Sequence, residues 1–461
     1  MKKKLLIYEL NEVPKRLIDE YIKLKPNSTF AKLNKNNLIE TFTEDEGELH
    51  PWTTWPTFYR GVSNKDHKIK FINQNLSYAK KYPSVWEILY KKNVSVGIFG
   101  SLQSYPPISD KNILFYLPDT FAPDASAYPE ELSIFQDFNL SLVGNNKAQA
   151  GGITLKDIKK LFRCYLKSIL KKRTLGKIIF HLIKEIINPN YKIRRSLLQP
   201  ILSFEPFLEQ LKYKKPDFVT FFTNHVAGVM HRYWFDFFPM DFKTPPRKKD
   251  LFRKNTLIKA LDIADYQISK LLEFADANSY QLWIASSMGQ SSIERGEYIK
   301  ELNIKYFSKL IDKLDLKKDN YESLPAMHPD FNIACKNEQA IIDLKKALED
   351  LTDSKGKQII YFRYQPVDLT VNLILKNSEL IDKDKLLLFK KKKDTLKNFG
   401  LELIERDIGT GYHIPDGILY TYPNKLKNYK FEKYLNTKYI APLILDFFQI
   451  KPMKYMLKLK K

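Results

Sequence analysis

DFVTFFTNHVAGVMHRYW, residues Asp217 to Trp234, decides how the rest of this chain is read. Its first half is a β-branched and aromatic run that stops at Thr223, Asn224 and His225. Its second half brings His231 just before Arg232, Tyr233 and Trp234. A short, continuously apolar run of this kind reads as a strand buried on both faces. Two histidines and an amide released at the end of such a strand then need an explanation.

Working outward, the same pattern recurs. Leu5–Leu10 is a second apolar run, ending at Asn11-Glu12-Val13-Pro14, with Pro14 suited to the first turn of a helix through KRLIDEYIKL. Asn93–Ser101 follows a helix-like SVWEILYKK, and Gln281–Ser287 follows a helical stretch from Leu257 to Phe274. Short buried strands alternating with helices predict an α/β fold with a mainly parallel sheet covered on both faces. Ligands of such sheets bind beyond the carboxyl ends of the strands, which is where Asn224 and His225 would lie.

The 461 residues suffice for one large α/β domain with insertions or for two domains, and 44% hydrophobic with 28% charged residues is a globular composition. The net charge of +23 points to an acidic partner, either a phosphorylated molecule, an anionic lipid surface or nucleic acid; a lysine-rich, AT-biased genome gives the same excess. No nucleic-acid reader motif accompanies the charge. Cys164 and Cys335 provide neither a disulfide framework nor a thiolate zinc site. The apolar core of MKKKLLIYELNE is too short for a signal peptide, and no run approaches a membrane span, so the expected location is cytoplasmic.

Between Thr154 and Pro200 thirteen lysines and arginines face only Asp157 and Glu185, and leucines and isoleucines recur at helical spacing. Residues 154–200 are therefore expected to form a basic helical insertion or lid, dividing one α/β core into parts 1–153 and 201–461. Its basic face suits an anionic membrane surface; a solvated lid with one core-facing stripe accounts for the same pattern.

Five clusters fall at predicted strand ends: ELNE from Glu9, HPWTTWPTFYRG from His50, the opening stretch, SSMGQ from Ser286, and GTGYHIPDGILY around His413. Their order resembles the alkaline phosphatase superfamily, especially its type I phosphodiesterase/nucleotide pyrophosphatase branch. RGVSNKDHKI is similar to the end of that branch's nucleophile helix, GSLQSYPPISD and LPDTFAPDASAYPEEL to its substrate-side loops, and KKPDFVTFF to the strand before its Asp-His pair. The resemblance spans nearly the whole chain and implies an alkaline-phosphatase-like α/β/α sandwich in which divalent ions clamp a phosphate and activate a hydroxyl.

The chain departs from that pattern at the metal positions. Asn11 stands where the first strand should deliver Asp, Ser287 and Met288 replace an Asp-His pair, and Ala227 occupies the place of the Asp four residues before His231. Methionine is a poor ligand for a hard or borderline ion, so the second metal site, as the family builds it, is gone. His231 and His413 match the two histidines of the first site, with His225 or Asn224 as a third contact and His328 as a further ligand; each can equally be a hydrogen-bonded core residue. Family spacing places the nucleophile on Pro51, which has none, so Thr54, or else Thr53, takes that role, with helix capping as the ordinary alternative. His50 can act as base or ligand. Asn11, Arg60, Asn224, Arg232 and Ser287 are the candidate substrate contacts, the arginines by bidentate pairing unless salt bridges hold them. The expected function is hydrolysis or transfer on a phosphate or sulfate ester, phosphodiesterase-like, with at most one divalent metal ion such as zinc. The alternative is a metal-free pseudoenzyme that binds an anionic glycan or lipid headgroup.

Overall fold

The computed structural model describes residues 2–34, 38–143, 154–294, 300–327, 330–364, 369–377, 379–404, 409–423, 426, 428–430 and 434–460. His328 lies outside them. The first seven strands are β1 (Leu5–Leu10), β2 (Leu38–Phe42), β3 (Val96–Phe99), β4 (Ile113–Leu117), β5 (Phe218–Thr223), β6 (Gln281–Ala285) and β7 (Gly289–Ser292). Strands β8 (Glu301–Ile304) to β16 (Leu401–Ile404) belong to a second lobe, and β17 (Gly411–Ile414), β18 (Asp416–Tyr422) and β19 (Leu435–Asn436) return to the first.

The central sheet has the order β19-β2-β18-β6-β1-β5-β3-β4, and β18 alone runs against the rest. Period-two alternation sorts its side chains: Leu6, Tyr8 and Leu10 enter one apolar cluster, while Leu5 and Ile7 enter another on the opposite face. The first cluster is covered by the helices Lys15–Leu24, Leu198–Lys214, His225–Phe237 and Leu251–Asn278, the second by Pro51–Arg60, Val85–Lys91 and Ile440–Phe447. This is the α/β/α sandwich with a mainly parallel sheet that the alternating runs predict.

Local expectations fared differently. β1 has the predicted bounds, whereas β3 and β6 are shorter than the runs that announced them. The long helix begins six residues before Leu257, because Asp250 caps it by accepting from the Phe252 amide at 2.7 Å. The basic insertion is helical over Leu155–Leu166 and Lys172–Ile187, followed by a 3-10 stretch Pro189–Leu197; the helix Leu198–Lys214 then runs across the expected boundary at 200. Unforeseen was the second lobe, whose own apolar cluster runs from Leu302 to Leu401. It enters through β7 and leaves through β17, which pair antiparallel with Gln290 opposite His413. It also leans on the first lobe, where Asn332 Nδ2 donates to Ile72 O at 2.6 Å.

Candidate active site

Parallel β1, β5 and β6 end side by side, so the residues after Leu10, Thr223 and Ala285 gather at one edge. Asn11 continues the ladder by donating its amide to Thr223 O at 3.1 Å. Its side chain is a hub: Nδ2 donates to Asn224 Oδ1 at 2.7 Å and to Glu12 Oε1 at 2.8 Å, while Oδ1 accepts from Trp55 Nε1 at 2.8 Å. An aspartate there could not donate either of the first two bonds. Asn11 therefore serves here as an organiser of neighbouring groups.

Glu12 is the residue that sequence reasoning missed. Its backbone sits in the left-handed region, at φ 59°, and is buried. That turn sends the carboxylate back across the edge, where Oε2 lies 2.9 Å from His231 Nε2 and 3.3 Å from His413 Nε2. Gln290, opposite His413 in the β7–β17 ribbon, donates to the same oxygen at 2.5 Å. Burial alone would push the Glu12 carboxyl up, but His413 and His231 more than reverse this and hold it well below the ordinary range. Burial likewise disfavours a charged His413, and Glu12 outweighs it, so the His413 pKa is raised.

His231 Nδ1 lies 2.9 Å from Gly411 O, and a carbonyl can only accept, so Nδ1 carries a proton. That leaves Nε2 as the nitrogen offered to the cluster. The approach requires glycine at 411, because a Cβ there would stand 2.6 Å from Met230 O. Glu12, His231 and His413 thus bring three ligand atoms within 4.8 Å of one another. One carboxylate oxygen and two imidazole nitrogens, with a carbonyl behind one imidazole, is a donor set that fits one zinc-like divalent ion with a further position open.

The other candidates divide. Thr54 and Ser287, both fully buried, meet at 2.7 Å between hydroxyls, and Thr53 is buried beside them. Neither threonine caps its helix: His50 holds the N-cap position and Pro51 begins the helix. His50 stacks on Trp52 with ring centres 4.3 Å apart and meets the His413 ring edge-on at 5.7 Å; its ring nitrogens have no hydrogen-bond partner among the described residues. Nε2 lies 3.7 Å from the Glu48 carboxylate, which is held down to about 2, chiefly by His50.

His225 does not join the cluster. Its Nδ1 meets Thr223 Oγ1 at 2.5 Å and its Nε2 meets Ala260 O at 2.9 Å, and burial lowers its pKa to about 4. Arg60 turns away to donate to the carbonyls of Ala79 and Tyr82, and Arg232 to those of Gly228 and the Ser196 hydroxyl. Both are occupied in holding the protein together. Past Trp52 a cavity of about 310 Å³ opens among Gln103, Tyr105, Asp119 and Phe121, in the two loops singled out from sequence.

No protein-family model matches the chain, and no curated protein does. Among solved structures, an inactive variant of murine ectonucleotide pyrophosphatase/phosphodiesterase 5 in complex with AMP is similar at 10% identity over 99% of this chain and 97% of that one, with a TM-score of 0.43. The human ectonucleotide pyrophosphatase/phosphodiesterase 5 is similar at 12% identity over 99% and 97%, with a TM-score of 0.42. Phosphonoacetate hydrolase from Sinorhizobium meliloti, in complex with phosphonoformate, is similar at 11% identity over 97% of this chain and 95% of that one, with a TM-score of 0.42.

Proposed function

We propose that the protein is a phosphodiesterase-like hydrolase or transferase that acts on a phosphate ester, or a comparable sulfate ester, of an anionic small molecule with one divalent ion at Glu12, His231 and His413. The observation that carries this reading is the convergence of both imidazole Nε2 atoms on one oxygen of a buried carboxylate at the carboxyl edge of the sheet. When bound, the ion supplies charge neutralisation and polarisation of a phosphoryl oxygen. Asn11 and Gln290 orient the two Glu12 oxygens, and Gly411 holds the His231 proton on Nδ1. His50, whose Nε2 lies 3.7 Å from Glu48 and whose ring meets that of His413 edge-on, is placed to accept or donate a proton. Thr54 is the candidate nucleophile, but its hydroxyl faces Ser287 and not a carboxylate. With Ser287 as its hydrogen-bond partner and no second ion, its attack should be slow.

That burial of Thr54 also supports a second reading, in which the site binds an anionic glycan or lipid headgroup without turnover. Elemental analysis of purified protein separates them: the first reading expects one equivalent of divalent ion, lost in His231→Ala. Hydrolysis of bis(4-nitrophenyl) phosphate should be slow, metal-dependent and at least about 100-fold weaker in that variant. No ion and no turnover, with anionic ligand still bound, would favour the metal-free binding protein. No ion under any condition, with His231→Ala unchanged in activity and ligand binding, would make the histidines structural.

A further inference from the structure

The helices Leu155–Leu166 and Lys172–Ile187 each bury one side and expose an apolar stripe on the other. On the first, Asp157 and Cys164 face inward, while Leu155, Ile158, Phe162 and Leu166 are exposed, Leu155 by 78% and Leu166 by 65%. Spaced by three, four and four residues, they line up on one face at about 100° per residue. On the second, Thr174, Ile178 and Glu185 face inward, while Ile179, Ile183 and Ile186 form the outward stripe with Phe180 and Ile187 beside it. Ile186 is 83% and Ile187 78% exposed. Single exposed apolar residues are ordinary; two successive helices with aligned stripes opposite their buried faces are not.

Charge decides what covers these stripes. Exposed Lys156, Lys159, Arg163, Lys167, Lys172, Arg173 and Lys177 lie along the same helices. The two acids of the segment point inward, Asp157 closing the capping box with Thr154 and Glu185 pairing with Arg195 and His181. A second copy of this face would bring like charges together. A bilayer with anionic headgroups offers an apolar layer and the opposite charge at once. Among the described residues no helix is long and apolar enough to cross a membrane, which suits helices lying in its surface.

We propose that these two helices dock the protein on an anionic membrane surface, with the apolar stripes at the headgroup–acyl boundary and the lysines and arginines among the phosphates. Docking of this kind does not depend on the cation site. The test is flotation of the full chain with vesicles of phosphatidylcholine alone and of phosphatidylcholine with phosphatidylglycerol. Binding should require phosphatidylglycerol and fall at least about tenfold when salt is raised, because the attraction is screened. The exposed substitutions Phe162→Glu and Ile186→Glu should each weaken it at least about tenfold while leaving the melting midpoint unchanged. Reversal of Lys156, Lys159 and Lys172 to Glu should do the same without touching an apolar residue. Equal binding to both vesicles, or unaltered binding by the stripe and charge variants, overturns the proposal. So does a soluble dimer that Ile186→Glu dissociates, which would assign the stripes to a second copy.

Discussion

Glu12 concentrates the chemistry of the site in a backbone conformation that disfavours its own residue type, since a non-glycine at positive φ is uncommon and costs about 1–2 kcal/mol. His231, His413, Asn11, Asn224, Thr54 and Ser287 were legible as candidates because each stands just beyond a strand or in a polar cluster between elements. Glu12 was not, because nothing in Asn-Glu-Val-Pro announces the left-handed turn that brings its carboxylate to the histidines. His225 misled for a similar reason: its partners, Thr223 Oγ1 and Ala260 O, come together only when the helix Leu251–Asn278 packs. Glu12→Gln tests the assignment most directly. It keeps the shape and removes the charge, so divalent-ion affinity, read by calorimetry, should fall at least about 100-fold. Met288→His should restore little, since Asn11 and Ser287 would still offer no carboxylate.

The buried strands were read most securely, because an apolar run bounded by polar residues leaves few other places for its side chains. Polar residues inside such a run are invisible to that logic, and β1 holds one. Glu9 is fully buried on the face opposite Tyr8, where Oε1 accepts from Tyr59 at 2.5 Å and Ser101 at 2.7 Å. Oε2 has no partner among the described residues, and burial raises the carboxyl to about 8. In the unfolded chain the same group titrates near 4.5. Between those values the folded state binds the extra proton, so the contribution of Glu9 is fully present below pH 4.5 and is lost as pH rises through 8. Glu9→Gln imitates the protonated form. Its melting midpoint should match wild type near pH 4.5 and exceed it increasingly toward pH 8, whereas a constant difference would mean that Glu9 is not the titrating group.

At the scale of the molecule, the alternation of strands and helices announced the sandwich, but not that part of the C-terminal half builds a separate lobe. No Gly- or Pro-rich linker marks where the lobe begins, and several of its strands are apolar runs like those of the central sheet, so composition does not change at its borders. The β7–β17 ribbon marks them instead. Ser292 pairs with Gly411, and Ile293 N donates to Thr410 O at 3.1 Å, so the chain departs and returns at adjacent points. Thr410 is then tied to the first lobe through His231 O at 2.7 Å. Geometrically the lobe is a bead on a closed loop, and closing the loop earlier needs only a tight turn. Replacing residues 294–409 with Asn-Gly should give a hairpin that still sets Gln290 beside His413 and still binds one divalent ion. An excised chain that folds but binds no ion would show that the lobe holds the site together. If the ion stays, the lobe is an exchangeable part: its sequence can drift or be replaced wholesale while Glu12, His231 and His413 keep their positions, because the ribbon and not the lobe sets them.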